Sequence, residues 1–129
     1  MNQAINTDVD PISGKVVDVA FKIHQTLGTG LLESIYEDSF AVELQNRGIA
    51  FERQKTYPVF YEGIKLSTSL RLDLVVDDQL VVELKSQEGI TNANQAQLLS
   101  YMRIASIHSG LIINFGEPYF KRAIKRMVL

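Results

Sequence analysis

One stretch, residues 70–86, constrains the fold more than any other part of the chain: LRLDLVVDDQLVVELKS. Two apolar runs rich in β-branched residues flank a polar Asp-Asp-Gln turn, a pattern that predicts a β-hairpin. Each predicted strand also carries charge where burial should be greatest, Asp73 in the first strand and Glu83 and Lys85 in the second. Charged side chains within an apolar strand are costly unless they are paired or bind something. The sequence therefore predicts a β-hairpin whose charged residues either form ion pairs or bind a ligand.

The length of the turn decides whether the two acids lie on one face of the hairpin. If the turn has three residues, Val76 faces Leu80 and Asp73 faces Glu83, whereas a two-residue turn separates the acids. Side chains alternate along a strand, so Lys85 lies on the same face as Glu83. Two carboxylates and an ammonium on one face could hold a divalent cation and stabilise a developing anion beside it. The alternative is a surface salt-bridge ladder on a half-exposed hairpin, and the hairpin pattern alone leaves both open.

Length and composition limit the classes of protein that this chain can represent. A chain of 129 residues is enough for one domain and too short for two, so we expect a single domain over residues 1–129, with residues 1–9 as a loose arm. The absence of cysteine excludes disulfides, thiolate zinc sites and a cysteine nucleophile. The absence of cysteine also predicts a cytoplasmic protein. No apolar run approaches membrane-spanning length and the N-terminus lacks a signal-peptide core, so no membrane contact is expected. A net charge of −2 gives no general attraction to nucleic acid, so such binding would need a local patch or metal-bridged phosphates.

The remaining elements follow from hydrophobic periodicity and from turn residues. On the third predicted helix, Ala96, Leu99, Met102 and Ile104 are expected in the core. The order of elements predicts an α/β sandwich around a mixed central sheet, in which the strands on either side of the third helix are parallel. The predicted helices cover residues 11–27, about 31–47 and about 93–105, the further strands cover 49–55, 57–61, 64–69 and 109–115, and residues 120–128 form either a short basic amphipathic helix or an edge strand.

Several polar residues on the helices have both a structural and a functional interpretation. His24 is either a packed or capping histidine or a residue that lines a site. Glu33, in the first turn of its helix, complements the helix dipole or reaches into a pocket. Gln97 and Tyr101 are four residues apart and share one helix face, which is either solvated or directed at a site.

Taken together, three motifs resemble those of the PD-(D/E)xK nuclease superfamily. Asp73, followed by Glu83-Leu84-Lys85 on the next strand and preceded by an acid on a helix, resembles the superfamily's defining motif. Residues 30–36, GLLESIY, match the signature of the small GxxExxY proteins, and residues 97–101, QLLSY, match the QxxxY motif of the RecB-like branch. Leu72 stands where the superfamily's name has proline, a position at which many members lack it.

The resemblance implies a restriction-endonuclease-like, three-layer α/β sandwich with a mixed central sheet flanked by helices. It implies that Asp73, Glu83 and the carbonyl of Leu84 bind Mg²⁺ or Mn²⁺, with Glu33 completing the shell directly or through water. Lys85 would orient or deprotonate the attacking water, so the implied catalytic residues are Lys85, Asp73 and Glu83. Gln97, Tyr101 and Tyr36 would position substrate or support the acids. Without metal, at least one of the two clustered acids should hold its proton more tightly than a free carboxyl group, an effect that Lys85 partly offsets.

The implied function is metal-dependent hydrolysis of phosphodiester bonds, with nucleic acid as the expected ligand. A non-catalytic nucleic-acid-binding or assembly subunit on the same fold is the alternative, and a structural protein with a satisfied salt-bridge cluster is a third interpretation. Fold alone does not decide among them. DNA or RNA as substrate, and a protein partner or a homo-oligomer, stay open.

Overall fold

A computed structural model describes residues 11–129, and the arm expected over residues 1–9 lies outside the described residues. The chain beyond residue 119 forms a single helical turn followed by a strand, so it combines the two alternatives predicted for it. The helices are α1 (Pro11–Leu27), α2 (Glu33–Asn46), α3 (Asn92–Ala105) and α4 (Phe120–Ala123). The strands are β1 (Phe51–Tyr57), β2 (Phe60–Tyr61), β3 (Ile64–Lys65), β4 (Leu70–Val76), β5 (Leu80–Lys85), β6 (Ser109–Asn114) and β7 (Ile124–Val128).

Five of the strands form a mixed sheet in the order β1-β4-β5-β6-β7. β5 and β6 are parallel because α3 carries the chain back across the sheet between them, and the other neighbouring strands are antiparallel. Among the described strands, β2 and β3 pair only with each other and form a separate two-stranded ribbon. The predicted mixed sheet and its parallel pair are confirmed.

Helices cover both faces of the sheet and create two hydrophobic clusters. α1 and α2 pack on one face, where Val16, Phe40 and Leu44 meet Leu74 and Val82 of the central strands. α3 packs on the other face with the second cluster. Because both faces are covered, the central strands are apolar along nearly their whole length. This is the predicted three-layer α/β sandwich. No helix within residues 11–129 is both long and apolar enough to cross a membrane.

The orientation of α3 differs from the expected one. Leu98 and Met102 are buried against the sheet, while Ala96 and Ile104 are exposed. Gly110 explains the difference, because a Cβ at this position would lie 2.7 Å from the Met102 sulfur and 3.2 Å from a Leu98 methyl carbon. The glycine thus lets one particular stripe of α3 approach β6 closely. The core assignments of Ala96 and Ile104 were wrong, and that of Met102 is confirmed.

The strands between residues 49 and 69 also differ from their expected limits. β1 runs on to Tyr57, and the two following segments shrink to strands of two residues each. Pro58 follows β1 directly and has no N–H to donate to a ladder, which is consistent with the strand ending there.

Strand directions bring several connections to one edge of the sheet. β5 and β6 end at this edge, called the carboxyl edge below, and β4 begins there because it is antiparallel to β5. β1 is antiparallel to β4 and therefore also ends there, so the β2–β3 ribbon leaves the sheet from this edge. The loop before α2 is tied to the same edge, since Ser86 Oγ donates to Leu31 O at 2.6 Å and Gly30 N–H donates to Phe115 O at 3.2 Å.

Candidate active site

The turn between β4 and β5 has three residues. Val76 pairs with Leu80, and the register continues through Val75–Val81 to Leu74–Val82. Asp77 and Asp78 in the turn both have positive φ, 52° and 54°, a conformation that aspartate tolerates better than most residues. The odd turn length that the two-acid site requires is therefore confirmed.

Beyond Leu74–Val82 the ladder between β4 and β5 stops, and two carboxylates take its place. Leu84 N–H donates to Asp73 Oδ2 at 2.9 Å, and Asp73 N–H donates to Glu83 Oε2 at 3.2 Å. Each acid thus accepts a backbone N–H from the opposite strand. Asp73 and Glu83 meet in this opening between the strands, and they are not separated to opposite faces of the sheet.

A local break in strand alternation accompanies the opening. Leu72 packs in the cluster beneath α3, whereas Leu74 packs in the cluster beneath α1 and α2, although the two residues are an even number of positions apart. On the neighbouring strand β1, Gln54 has φ 48°, and the pairing of β1 with β4 skips Gln54 and Asp73. Asp73 is thereby released from a regular ladder position, and its carboxylate reaches the N–H of Leu84.

Burial dominates the electrostatics of the two acids. Glu83 is only 6% exposed, and burial followed by the charge of Asp73 raises its pKa to about 8. Burial also raises the pKa of Asp73, against the stabilising N–H of Leu84, and Lys85 lowers the pKa of both acids. The expected retention of a proton, and its partial offset by Lys85, are confirmed. The first cause is loss of solvation, however, and repulsion between the acids comes second for Glu83.

Lys85 is half-buried beside the acids without being paired to them. The ion pairs formed within residues 11–129 lie on α1, α2, β1 and the β4–β5 turn, and none involves Lys85. The hairpin is also the buried centre of the sheet, where a half-exposed surface ladder cannot form. The salt-bridge-ladder alternative is therefore wrong, and the ammonium of Lys85 is available to a ligand.

The backbone of Leu84 adds a further oxygen to the opening. In a strand, the N–H and C=O of one residue point to the same side. Because the Leu84 N–H points to Asp73, its carbonyl is directed to the same side, past the end of the β4–β5 ladder. The next carbonyl, that of Lys85, points the other way and accepts the N–H of Phe115 at 2.8 Å.

Glu33 approaches the acids from the start of α2. It is exposed beside an open cleft of about 450 Å³ that residues 30–34 and Ser86 line, and its charge raises the pKa of Glu83. In the part of the chain that the structure describes, no three His, Cys, Asp or Glu side chains are grouped closely enough to hold a metal ion. The oxygen atoms that meet in the opening belong to Asp73, Glu83 and the Leu84 carbonyl, and Glu33 acts on Glu83 through its charge.

Tyr36 holds the loop that carries Glu33. Its hydroxyl donates to Gly28 O at 2.8 Å and accepts the N–H of Leu31 at 3.1 Å, and its ring stacks on Phe115 with centroids 4.1 Å apart. The loop also needs Gly30, which has φ 86°. Tyr36 is fully buried, so direct contact with substrate is excluded and a supporting role behind Glu33 remains.

The structure brings Tyr101 of α3 to the acids. Tyr101 is half-buried, and burial followed by the charges of Glu83 and Asp73 raises its pKa. Gln97 lies one helical turn earlier and is exposed. His24, by contrast, is a packed histidine, since its Nε2–H donates to Glu117 O at 2.8 Å and its ring lies edge-on to Phe120.

Two residues near Asp73 were not predicted from the sequence. Glu37 raises the pKa of Asp73 and also accepts a hydrogen bond from Gln54 Nε2 at 2.6 Å, while hydrogen bonding from Gln54 lowers the pKa of Asp73. Glu37 follows Glu33 by four residues, so its helical spacing could have identified it. Gln54 had no such signal, because a positive φ outside glycine leaves no mark in the sequence.

A buried asparagine braces the chain just after Lys85. Asn114 Oδ1 accepts the N–H groups of Gln87 and Gly116 at 3.1 and 3.0 Å, and its Nδ2 donates to Gln87 O at 3.0 Å. A side chain at Gly116 would collide with Gln87, whose carbonyl oxygen would lie 2.1 Å from the added Cβ. The direction in which the chain leaves Lys85 is thus set by β6, a contribution that the apolar pattern of β6 did not reveal.

Comparison with known protein families agrees with this geometry. Residues 10–127 match the model of the PD-(D/E)XK nuclease superfamily. The chain therefore belongs to this superfamily, whose nucleases usually use divalent metals. Neither a curated protein nor a solved structure matches it.

Proposed function

We propose that the protein is a metal-dependent nuclease that hydrolyses phosphodiester bonds in nucleic acid. The observation that carries the proposal is the meeting of Asp73 and Glu83 where the β4–β5 ladder stops. Lys85 lies beside them and forms no ion pair with any residue between 11 and 129. Burial of carboxylates is unfavourable unless a proton or a cation compensates them, and the raised pKa of Glu83 reflects this. Membership of a nuclease superfamily gives independent support.

The oxygen donors fit a hard divalent cation. Asp73, Glu83 and the Leu84 carbonyl would hold Mg²⁺ or Mn²⁺, and Glu33 would contribute directly or through water. Such ions prefer oxygen ligands and keep several waters, so three protein donors leave positions for water and a phosphate oxygen. The bound ion would supply Lewis-acid polarisation of the phosphate and a lowered pKa for a coordinated water.

The chain's own residues would supply the remaining chemistry. Lys85 would orient the attacking water or help deprotonate it, and its ammonium would stabilise negative charge that develops on the phosphate oxygens. Tyr101, whose pKa is raised, keeps its proton and would donate a hydrogen bond to substrate or to an acid. Gln97 would contribute its amide from the same helix face.

A more specific placement within the superfamily rests on two further motifs, at residues 30–36 and 97–101. The hydrogen bonds that link Gly28, Leu31 and Tyr36 explain the spacing of residues 30–36. Gly30 allows the turn of the loop, and Tyr36 fixes the loop that leads into the helix of Glu33. This supports placement among the GxxExxY proteins, and the position of Tyr101 near the acids supports the RecB-like branch with its QxxxY motif. The cytoplasmic location stays a prediction.

A cleavage assay tests the proposal. Purified full-length protein would be incubated with labelled single-stranded, double-stranded and flapped DNA and with RNA, in Mg²⁺ and in Mn²⁺. We expect cleavage by the wild type and none by Asp73→Asn. A wild type that binds one of these nucleic acids but cuts none would favour the non-catalytic subunit instead.

A further inference from the structure

The β2–β3 ribbon, residues 60–66, exposes several large apolar side chains. Phe60, Tyr61 and Ile64 are 60%, 67% and 68% exposed, and Leu66 is 41% exposed. Phe60 pairs with Lys65 and Tyr61 with Ile64. Directly opposed residues share a face, so each face of the ribbon carries an aromatic side chain. Exposed apolar clusters of this kind mark interaction sites.

The ribbon leaves the sheet close to the candidate active site. It follows β1, whose last residue, Tyr57, pairs with Leu70 at the start of β4. Asp73 lies three residues farther along β4, which is about 10 Å at the usual rise of a strand. The acids and the base of the ribbon therefore share the carboxyl edge of the sheet.

Positive charge accompanies these aromatic side chains. Lys65 lies on the ribbon and Arg71 lies next to its base, and both are exposed. Neither belongs to any ion pair formed within residues 11–129. Glu62 in the ribbon turn carries one negative charge, so Lys65 and Arg71 leave an excess of one positive charge beside the exposed aromatic rings. This combination fits a ligand that is both anionic and aromatic.

We propose that the β2–β3 ribbon stacks on unpaired bases of the nucleic-acid strand that enters the active site. This rests on the proposed nuclease function and specifies its substrate class: single strands, or duplexes with a single-stranded extension, in preference to continuous duplex. Any unpaired base can stack on an aromatic side chain, whereas a base inside a duplex is already stacked on its neighbours. Lys65 and Arg71 contact the phosphates of the same strand.

A second copy of the chain fits the ribbon less well. Two aromatic side chains that are about two-thirds exposed offer roughly 250 Å² between them. A stable interface buries about 800 Å² on each partner. The two rings, even with the exposed parts of Ile64 and Leu66 added, offer less area than a stable dimer buries, whereas they are large enough to stack one or two bases.

Fluorescence anisotropy with labelled oligonucleotides tests the proposal. The full chain carrying Asp73→Asn, which prevents cutting, would be titrated in EDTA against a 20-nucleotide poly(dT) strand, a blunt duplex, and a duplex with a single-stranded extension. We expect tighter binding to the first and third probes. Changing Phe60 and Tyr61 together to leucine keeps the ribbon apolar but removes stacking, and should weaken binding to these probes by about 5- to 150-fold for each stacked base.

Matched variants distinguish aromatic stacking from non-specific binding to exposed apolar side chains. Phe60→Trp keeps an aromatic ring and should retain affinity, and Val42→Ser removes an exposed apolar side chain from α2 and should change nothing. Thermal melts of each variant confirm that folding is unaffected. Unchanged affinity in the double leucine variant, or equal affinity for strand and blunt duplex, would overturn the proposal. So would a dimer in light scattering that the leucine changes abolish.

Failure of the ribbon proposal and failure of the nuclease proposal give different results. Cleavage or metal binding that depends on Asp73, together with no effect of the ribbon variants, removes only the stacking role. Binding of single strands through the ribbon by a wild type that neither binds metal nor cuts removes only the nuclease. If no probe binds in EDTA, the stacking role is wrong and metal titration still decides the nuclease.

Discussion

Acidic residues lie at both ends of the β4–β5 hairpin, but they differ in solvent exposure and in ion pairing. At the turn, the side chain of Asp78 is 84% exposed and pairs with Lys55 at 3.3 Å, and Gln79 donates to Asp77. At the carboxyl edge, Glu83 is buried and Asp73 is half-buried, and Lys85 forms no ion pair with them. Exposed pairs contribute little and solvent screens them. The difference shows that burial without a pairing cation, and not the mere presence of acid and base, distinguishes a candidate site.

The largest contrast expected between the two ends is catalytic. Lys85→Ala should lower phosphodiester cleavage by about 10²–10⁴-fold, because a positioned acid or base typically contributes that much. Its Mg²⁺ affinity should stay the same or rise, since a cation beside the ion is removed. Lys55→Ala is the control, because the ammonium of Lys55 pairs with Glu52 and Asp78, and this variant should cut at the wild-type rate. If Lys85→Ala also cuts at that rate, the activity comes from a contaminant or from another site.

The second contrast concerns metal binding. Asp73→Asn should weaken Mg²⁺ affinity by more than about tenfold, whereas Asp78→Asn should leave it unchanged. Without metal, Asp73→Asn should be as stable as wild type or more so, because it removes repulsion and its amide oxygen can still accept the N–H of Leu84. Thermal melts with and without Mg²⁺ measure both effects. A clear loss of stability without metal would show that Asp73 is structural.

A third contrast is the dependence of stability on pH. Burial raises the pKa of Glu83 from 4.5 to about 8, so folding favours its neutral form. That stabilisation is complete below pH 4.5 and is lost as pH rises towards 8, by up to a few kcal/mol. The metal-free protein should therefore lose stability to denaturant over this interval, and Glu83→Gln should lose less. Parallel curves for the two proteins would show that Glu83 titrates normally.

The smallest effect concerns the loop that carries Glu33. Tyr36→Phe keeps the ring stacked on Phe115 but removes the hydroxyl that bonds Gly28 and Leu31. We expect a loss of about 1 kcal/mol in the free energy of unfolding, measured with urea. Tyr119→Phe is the control, because Tyr119 is exposed, and it should cost nothing. Equal stability of both variants would mean that the loop is held by its other contacts.

The three-layer order, the parallel pair and the meeting of the two acids could be predicted because each follows from local pattern. The odd turn length predicted that Asp73 and Glu83 lie close together, and the crossover helix predicted that β5 and β6 are parallel. The break in alternation at Asp73 was not predicted, because it depends on Gln54 of the neighbouring strand. The stripe of α3 that faces the sheet depends on Gly110 in a distant strand, and Gln54 depends on a backbone conformation that several residue types can adopt. The brace from Asn114 likewise joins residues 27 positions apart. Such features arise from tertiary contacts, so no local pattern shows them.

Calorimetric titration of Mn²⁺ into the full chain at pH 7, in two buffers of different ionisation enthalpy, tests the metal site most directly. Ligand carboxylates must be ionised, and the pKa of Glu83 is about 8, so binding should release close to one proton. We predict saturable binding with this proton release in wild type and in Asp78→Asn, and a strong loss of affinity in Asp73→Asn. Absence of saturable binding, or equal affinity in Asp73→Asn, would contradict the assignment of Asp73 and Glu83 as a metal site.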